Sequence, residues 1–164
     1  MTEQIITKES LNKLFDYKDG ELYWKIKTSK KVVIGSKAGS TRADGYTLVR
    51  INNKRYYYHR LIFLMHNGYL PDFLDHIDND KSNNRIENLR EATLMQNAQN
   101  VKLGKDNTSG IKNVSWSKMM NKWVVKIRIN REKKHLGYYA DINLAELVAI
   151  EAREKFHGNF ANNG

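Results

Sequence analysis

The stretch from Leu74 to Asn97 constrains this chain more than any other. It reads Leu74-Asp75-His76-Ile77-Asp78, then Asn83-Asn84-Arg85-Ile86-Glu87-Asn88-Leu89-Arg90, then Asn97. A carboxylate, a titratable imidazole and several amides fall within one short, polar segment. Histidine can take a proton from water because its pKa lies near neutrality. A carboxylate with an amide oxygen suits Mg²⁺, which prefers oxygen donors and keeps positions open for phosphate. Asp75 and His76 are neighbours, so on an extended segment their side chains point to opposite faces. That geometry lets one grip metal while the other faces an attacking water. The chain has no cysteine, which excludes disulfides and Cys-based zinc sites, so each small module must hold itself together by packing alone.

The ordinary use of such residues is structural, since Asn side chains favour turns and caps by bonding their own backbone. Asp78, Asp80, Asn83 and Asn84 also suggest a calcium loop, but the glycine and terminal Glu of an EF-hand are missing at the required offsets. The ordered set as a whole points to phosphodiester chemistry. Residues 75–90 closely follow the pattern DHxDxxxxNNxxENLR and resemble the HNH, or ββα-metal, nucleases. More narrowly they resemble phage and intron-encoded homing endonucleases of the H-N-N variant, in which an amide replaces the third histidine. The resemblance implies His76 as general base, Asn88 as the residue fixing the loop that orients it, and Asp75 and Asn97 as metal ligands. Asn100 stands near enough to be the alternative to Asn97. Without the third histidine, Mg²⁺ is implied, with Mn²⁺ as a substitute, rather than Zn²⁺.

Charge agrees with a polyanionic partner: the formal net charge is +10 over 164 residues, a balance shared with ribosomal and membrane-surface proteins. The length allows one ordinary domain or two or three small modules. No apolar run approaches a membrane span, and the start is polar, without a basic-then-apolar leader. The expected setting is the cytoplasm, that of a bacterial host if the chain is phage-encoded.

Four segments are expected. Residues 1–67 read as an α+β module. Ser10 would cap a short helix containing Leu11, Leu14 and Phe15, and Asp19-Gly20 and Asp44-Gly45 turn into strands at 21–24 and 46–51. Asn52-Asn53 turns into a strand at 54–58, and an apolar helix over 59–66 ends at Gly68, with Pro71 beyond it. His59 and His66 are expected to be packed helix residues, with His59 the closer of the two to the active site. Tyr56-Tyr57-Tyr58 reads as strand packing. Residues 68–103 form the expected nuclease core: a strand at 74–77, a turn at 78–84, and a closing helix at 90–100 capped by Thr93. Met95, Ala98 and Val101 are its expected buried stripe. Residues 104–110 read as a basic linker.

In residues 111–164, strands are expected at 114–116, 123–129 and 134–139, followed by an amphipathic, alanine-bearing helix at 144–156 capped by Asp141 or Asn143. With SGIKNVSW, NKWVVKIRI and HLGYY, this order resembles the Apetala-two, or ethylene-response-factor, DNA-binding domain. That resemblance implies a sheet lying in the major groove, with Lys112, Ser115, Lys126, Arg128, Lys133 and His135 facing DNA; Lys118, in the same basic stretch, is expected to join them. The family has Gly where Asn113 stands, Arg near Ser115 and Glu at Lys126, so only the docking mode carries over. Strand alternation independently puts Lys126, Arg128 and Asn130 on one face and Val125, Ile127 and Ile129 on the other. Trp116 and Trp123 read as sheet core.

The expected fold is therefore α+β: a strand-rich module, a ββα-metal core, and a three-stranded antiparallel sheet packed on one helix. The expected function is metal-dependent, site-specific cleavage of double-stranded DNA, of homing type and nicking in the sense of one site per chain, leaving 5′-phosphate and 3′-hydroxyl ends. A non-cleaving DNA-binding regulator on the same fold is the alternative, and an RNA-binding protein of ribosomal type stands behind it. No membrane and no obligate protein partner are expected, and the chain would act as a monomer or weak dimer on DNA.

Overall fold

A computed structural model describes residues 6–104 and 106–163. Residues 1–4 of the polar start, and Lys105 of the expected linker, lie outside the described residues. The chain divides after Thr93 into two compact units.

The first unit opens with α1 (Lys8–Leu14). Thr7 caps it, and Ser10 sits at the third helical position, completing a reciprocal capping box that satisfies two otherwise orphaned amides. The expected cap was Ser10; Thr7 takes the role because the helix starts one turn earlier. Phe15 leaves the helix and starts β1 (Phe15–Lys18), which pairs antiparallel with β2 (Glu21–Trp24). Phe15 and Trp24 are register partners whose rings lie 4.6 Å apart, and this buried pairing favours a strand where a helix was expected. The next sheet has the order β3 (Ser40–Thr41), β4 (Thr47–Ile51), β5 (Lys54–Tyr57). Asn52 and Asn53 form the β4–β5 turn with φ of 47° and 64°, the left-handed region that two-residue hairpin turns need. Helix α2 (Tyr58–Asn67) follows and ends where Gly68, at φ 80°, sends its amide back to the Leu64 carbonyl.

Two more strands complete the unit: β6 (Phe73–His76) and β7 (Leu89–Ala92), paired so that Asp75 faces Arg90 and His76 faces Leu89. A single 3₁₀ turn over Ile86–Asn88 leads into β7. One core joins most of these elements, with Leu11, Phe15, Leu22, Val49, Leu61, Ile62 and Leu89 in a continuous buried cluster. Each such side chain contributes about 1.5–3 kcal/mol on burial. The division after Thr93 thus differs from the boundaries expected at 67/68 and 103/104, because Leu89 shares its core with Leu22 and Leu61.

The second unit contains α3 (Leu94–Gln99), then β8 (Val114–Ser117), β9 (Lys122–Ile129), β10 (Glu132–Tyr139) and α4 (Ile142–His157). The helix expected over 90–100 is shorter than that, because Arg90 and Glu91 are held in the β6–β7 ladder. Its expected stripe is also not buried: Met95, Ala98 and Val101 are exposed, whereas Asn100 is buried. The three strands form an antiparallel sheet ordered β10-β9-β8. Val114 and Val125 pack on Ala145 and Ala149 of α4, with Trp123, Leu136 and Tyr139 around them. The alanines let the helix approach the sheet closely. Asp141 caps α4 by accepting from the Asn143 amide. Part of the expected linker is folded: the Ser109 hydroxyl donates to the Val114 carbonyl (2.8 Å), and the Gly110 amide donates to Asn107 Oδ1 (2.8 Å).

Candidate active site

The β6–β7 hairpin and the loop joining its strands carry the polar motif. Asn88 organises that loop. Its Nδ2 donates to Asp78 Oδ1 (2.9 Å) and to the Asn83 carbonyl (2.8 Å), while its Oδ1 accepts from the Asp78 amide (3.1 Å). The Ile77 amide donates to its main-chain carbonyl (2.9 Å). Asn88 is 8 % exposed, so these bonds form out of competition with water. Burial would raise the Asp78 pKa, but hydrogen bonds from Asp80, Asn83 and Asn88, with nearby His76, outweigh it and leave the carboxyl below its ordinary value.

The β1–β2 hairpin braces the same loop from outside. Tyr17 Oη accepts from the Ile86 amide (3.0 Å). Gly20, at φ 85°, lies so close that a Cβ there would meet the Arg85 backbone nitrogen at 2.8 Å. Only glycine combines that conformation with that approach.

His76 is 7 % exposed, and its Nε2 lies 3.2 Å from Asn84 Oδ1. Asn84 in turn donates from Nδ2 to the Ser82 carbonyl (3.0 Å). That second bond turns the amide oxygen toward the ring, so the imidazole donates from Nε2 and its lone pair in the neutral form resides on Nδ1. On the other side, His59 stands edge-on to His76 with ring centroids 5.1 Å apart. Tyr46 and Tyr57 complete the surround, 5.5 and 5.6 Å from the His59 ring. Burial, with His76 and Arg60 nearby, pushes the His59 pKa down to about 3. His59 is therefore a neutral wall at ordinary pH. Asn84, Tyr46 and Tyr57 are the members of this surround that sequence reasoning did not assign to it, whereas His59 was expected near the active site as a packed helix residue. The signal for His59 was only its place at the start of an apolar helix, and Asn84 was read as part of a turn.

Asp75 lies on the same strand and forms a partly buried ion pair with Arg90, whose Nε and Nη2 donate to Oδ2 at 2.9 and 2.7 Å. Among the described residues no three His, Cys, Asp or Glu side chains converge as a metal site. A cation held here would have one carboxylate and neutral oxygens as donors. That set suits a hard ion that keeps several of its own waters. Asn97 is half-buried on α3, in the second unit. Asn100 is buried, with its main-chain and side-chain oxygens 2.9 and 3.4 Å from the Asn162 amide nitrogen.

In the second unit, five of the seven residues expected to face DNA share one face of the sheet. Lys126 is register partner of His135 and Arg128 of Lys133, while Ser115 lies opposite Val124, two residues from Lys126. All five are exposed, as is Lys118 in the β8–β9 turn. Lys112 departs from the expectation. Its ammonium donates inward to the carbonyls of Gln99 and Val101, and burial beside Arg153 pushes its pKa down to about 8. It is a structural tie, with two of its three N–H donors committed to main-chain carbonyls. Trp116 also departs from its expected core position: it is 42 % exposed and meets Trp123 edge-on at 5.0 Å. Asn113, where the resembled family has glycine, takes φ 70°, a left-handed conformation that Asn tolerates.

Comparison with known proteins matches residues 56–99 to the HNH endonuclease family. Protein 3.8 of Escherichia phage T7 is 37 % identical over 99 residues, covering 58 % of this chain and 79 % of that protein. No solved structure matches the chain. The loop-bound histidine of the β6–β7 hairpin thus falls inside the matched segment, and the chain belongs to the family of phage T7 protein 3.8 and carries an HNH endonuclease domain.

Proposed function

We propose that this protein is a divalent-metal-dependent DNA endonuclease of the homing type that nicks one strand per binding event. The observation that carries the reading is the buried, oriented His76, held through Nε2 by Asn84 and set on a loop that Asn88 fastens. His76 is the general base: with its Nε2 proton committed to Asn84, it takes the proton of an attacking water at Nδ1. Asn88 positions it by keeping the loop closed over Asp78. Asp75 is the metal ligand on this hairpin, with Asn97 the second donor that the family resemblance implies. Asn100, which is engaged with Asn162, is the alternative donor. Arg90 holds one oxygen of Asp75, fixing the direction in which the carboxylate presents itself. Mg²⁺, with Mn²⁺ as substitute, would supply Lewis acidity at the phosphate and stabilise the departing 3′ oxygen. The products are 5′-phosphate and 3′-hydroxyl ends.

The carboxy-terminal sheet, with Ser115, Lys126, Arg128, Lys133 and His135 on one face and Lys118 at its edge, is the tether to duplex DNA in the manner of the Apetala-two domain. No described helix is long and apolar enough to cross a membrane, and the proposed setting is the bacterial cytoplasm. The test is incubation of supercoiled phage or host DNA with the protein and Mg²⁺, beside the same reaction in EDTA. Metal-dependent conversion to open circles supports the reading, and direct linear product points to paired action by two chains. Binding without cleavage across Mg²⁺, Mn²⁺ and several DNAs would replace it with a non-cleaving DNA-binding regulator.

A further inference from the structure

The β4–β5 hairpin carries an electrostatic arrangement that serves neither the core nor the catalytic loop. Arg50 and Arg55 are register partners, directly opposite each other, and both are exposed. Like charges placed opposite across a strand pair destabilise it. Some cations of the unit are paired: Lys25 with Asp16 at 3.3 Å, Lys37 with Glu21 at 2.8 Å, Arg42 with Asp44 at 3.2 Å. Among the described residues neither Arg50 nor Arg55 has a carboxylate partner. They line a groove of about 1200 Å³ together with Lys31, Arg42, Asn52 and Asn53, and among the described residues no carboxylate lines it.

The same face of the hairpin leads to the active site. Strand alternation puts Tyr57 on the face of Arg55, opposite Leu48. The Tyr57 ring adjoins His59, which adjoins His76. From Arg55 to Tyr57 is two strand steps, about 6.8 Å. That matches the axial rise of about two nucleotides on one strand of a duplex, at roughly 3.4 Å each. From Tyr57 the ring contacts of 5.6 and 5.1 Å run on to His76, so a polyanion with a phosphate at His76 would present phosphates within about five nucleotides of it to the arginine pair.

We propose that the Arg50–Arg55 pair and its groove bind the phosphodiester backbone of duplex DNA beside the scissile phosphate. This inference rests on the endonuclease reading. Bound phosphate relieves the repulsion between the arginines, so binding and hairpin stability are linked. The contact is to backbone alone and carries no sequence preference.

The experiment measures affinity of the full chain for a target duplex and an unrelated duplex from 50 to 200 mM salt, in Ca²⁺ or EDTA. Wild type is compared with Arg55→Gln and with Arg50→Gln/Arg55→Gln, alongside thermal melts and plasmid nicking. Loss of two phosphate contacts reduces the fall in affinity over that salt range by about twelve-fold, and loss of one by about 3.5-fold. Both duplexes should be affected alike, and both variants should melt no lower than wild type. If the variants keep the wild-type salt slope while the protein still binds and nicks DNA, the inference is overturned and the endonuclease reading survives. If wild type neither binds nor nicks duplex DNA, or binds only RNA through these arginines, both are overturned.

Discussion

His59 and His76 stand edge to face, ring centroids 5.1 Å apart and both largely buried, although they come from different elements, α2 and β6. One is a neutral wall and the other is held by a fixed amide oxygen. What separates them is the partner set: His76 meets the Asn84 carbonyl oxygen, whereas burial beside His76 and Arg60 governs His59.

Replacing the base should separate chemistry from binding. His76→Ala is expected to lower the nicking rate by about 10²–10⁴-fold, the usual contribution of a general base. Affinity for duplex DNA should stay within about threefold, since a buried imidazole offers little to a phosphate backbone. Single-turnover cleavage and a gel-shift titration on the same preparation check this. Equal loss of both would defeat the division of labour between hairpin and sheet.

Asn84 should matter through orientation. Asn84→Ala strands a buried ring N–H, a penalty of about 1–3 kcal/mol, and frees the imidazole to rotate. Expected is a drop of about tenfold or more in cleavage rate at saturating DNA with the Kd unchanged. Asn84→Asp, which keeps an acceptor in place, should retain more activity than Asn84→Ala. If the two variants were equally impaired in folding and in rate, the amide would be structural only.

Stability should depend on pH through His59. Its pKa in the folded unit is depressed to about 3, against roughly 6.5 when unfolded. Between those values the unfolded chain binds the extra proton and the folded one does not, so stability falls as pH drops below about 6.5. The slope from this group approaches about 1.4 kcal/mol per pH unit. The groups facing it are His76, Tyr46, Tyr57 and Arg60. Urea unfolding at pH 7, 5 and 4 should show the decline, and His59→Phe should flatten it. An unchanged slope in that variant would place the acid sensitivity elsewhere.

The carboxy-terminal sheet should report itself through salt. Lys126→Ala with Arg128→Ala is expected to weaken DNA binding and to reduce the slope of log affinity against log salt by about 1.8. Lys112→Ala should leave that slope alone and lower the melting temperature instead, because its ammonium ties the Gln99 and Val101 carbonyls. A slope change in Lys112→Ala and none in the double variant would reverse these assignments.

The sequence by itself determined the local elements whose signals are short-range. Asn52-Asn53 specified its turn, Gly68 the end of α2, and the alternation through Val125, Ile127 and Ile129 the inward face of β9. It also exposed the motif from Asp75 to Arg90, because that pattern is contiguous. Tertiary structure decided what depends on partners far along the chain. Phe15 left the predicted helix because Trp24 was available across a hairpin. Arg90 and Glu91 joined a strand because β6 offered its edge. Lys112 turned inward because the Gln99 and Val101 carbonyls needed a donor. His59, by sequence a packed helix residue expected nearer the active site than His66, reached His76 only once α2 and the β6–β7 hairpin shared a core. Periodicity reports which face of an element is apolar; it carries no record of which other element will cover that face.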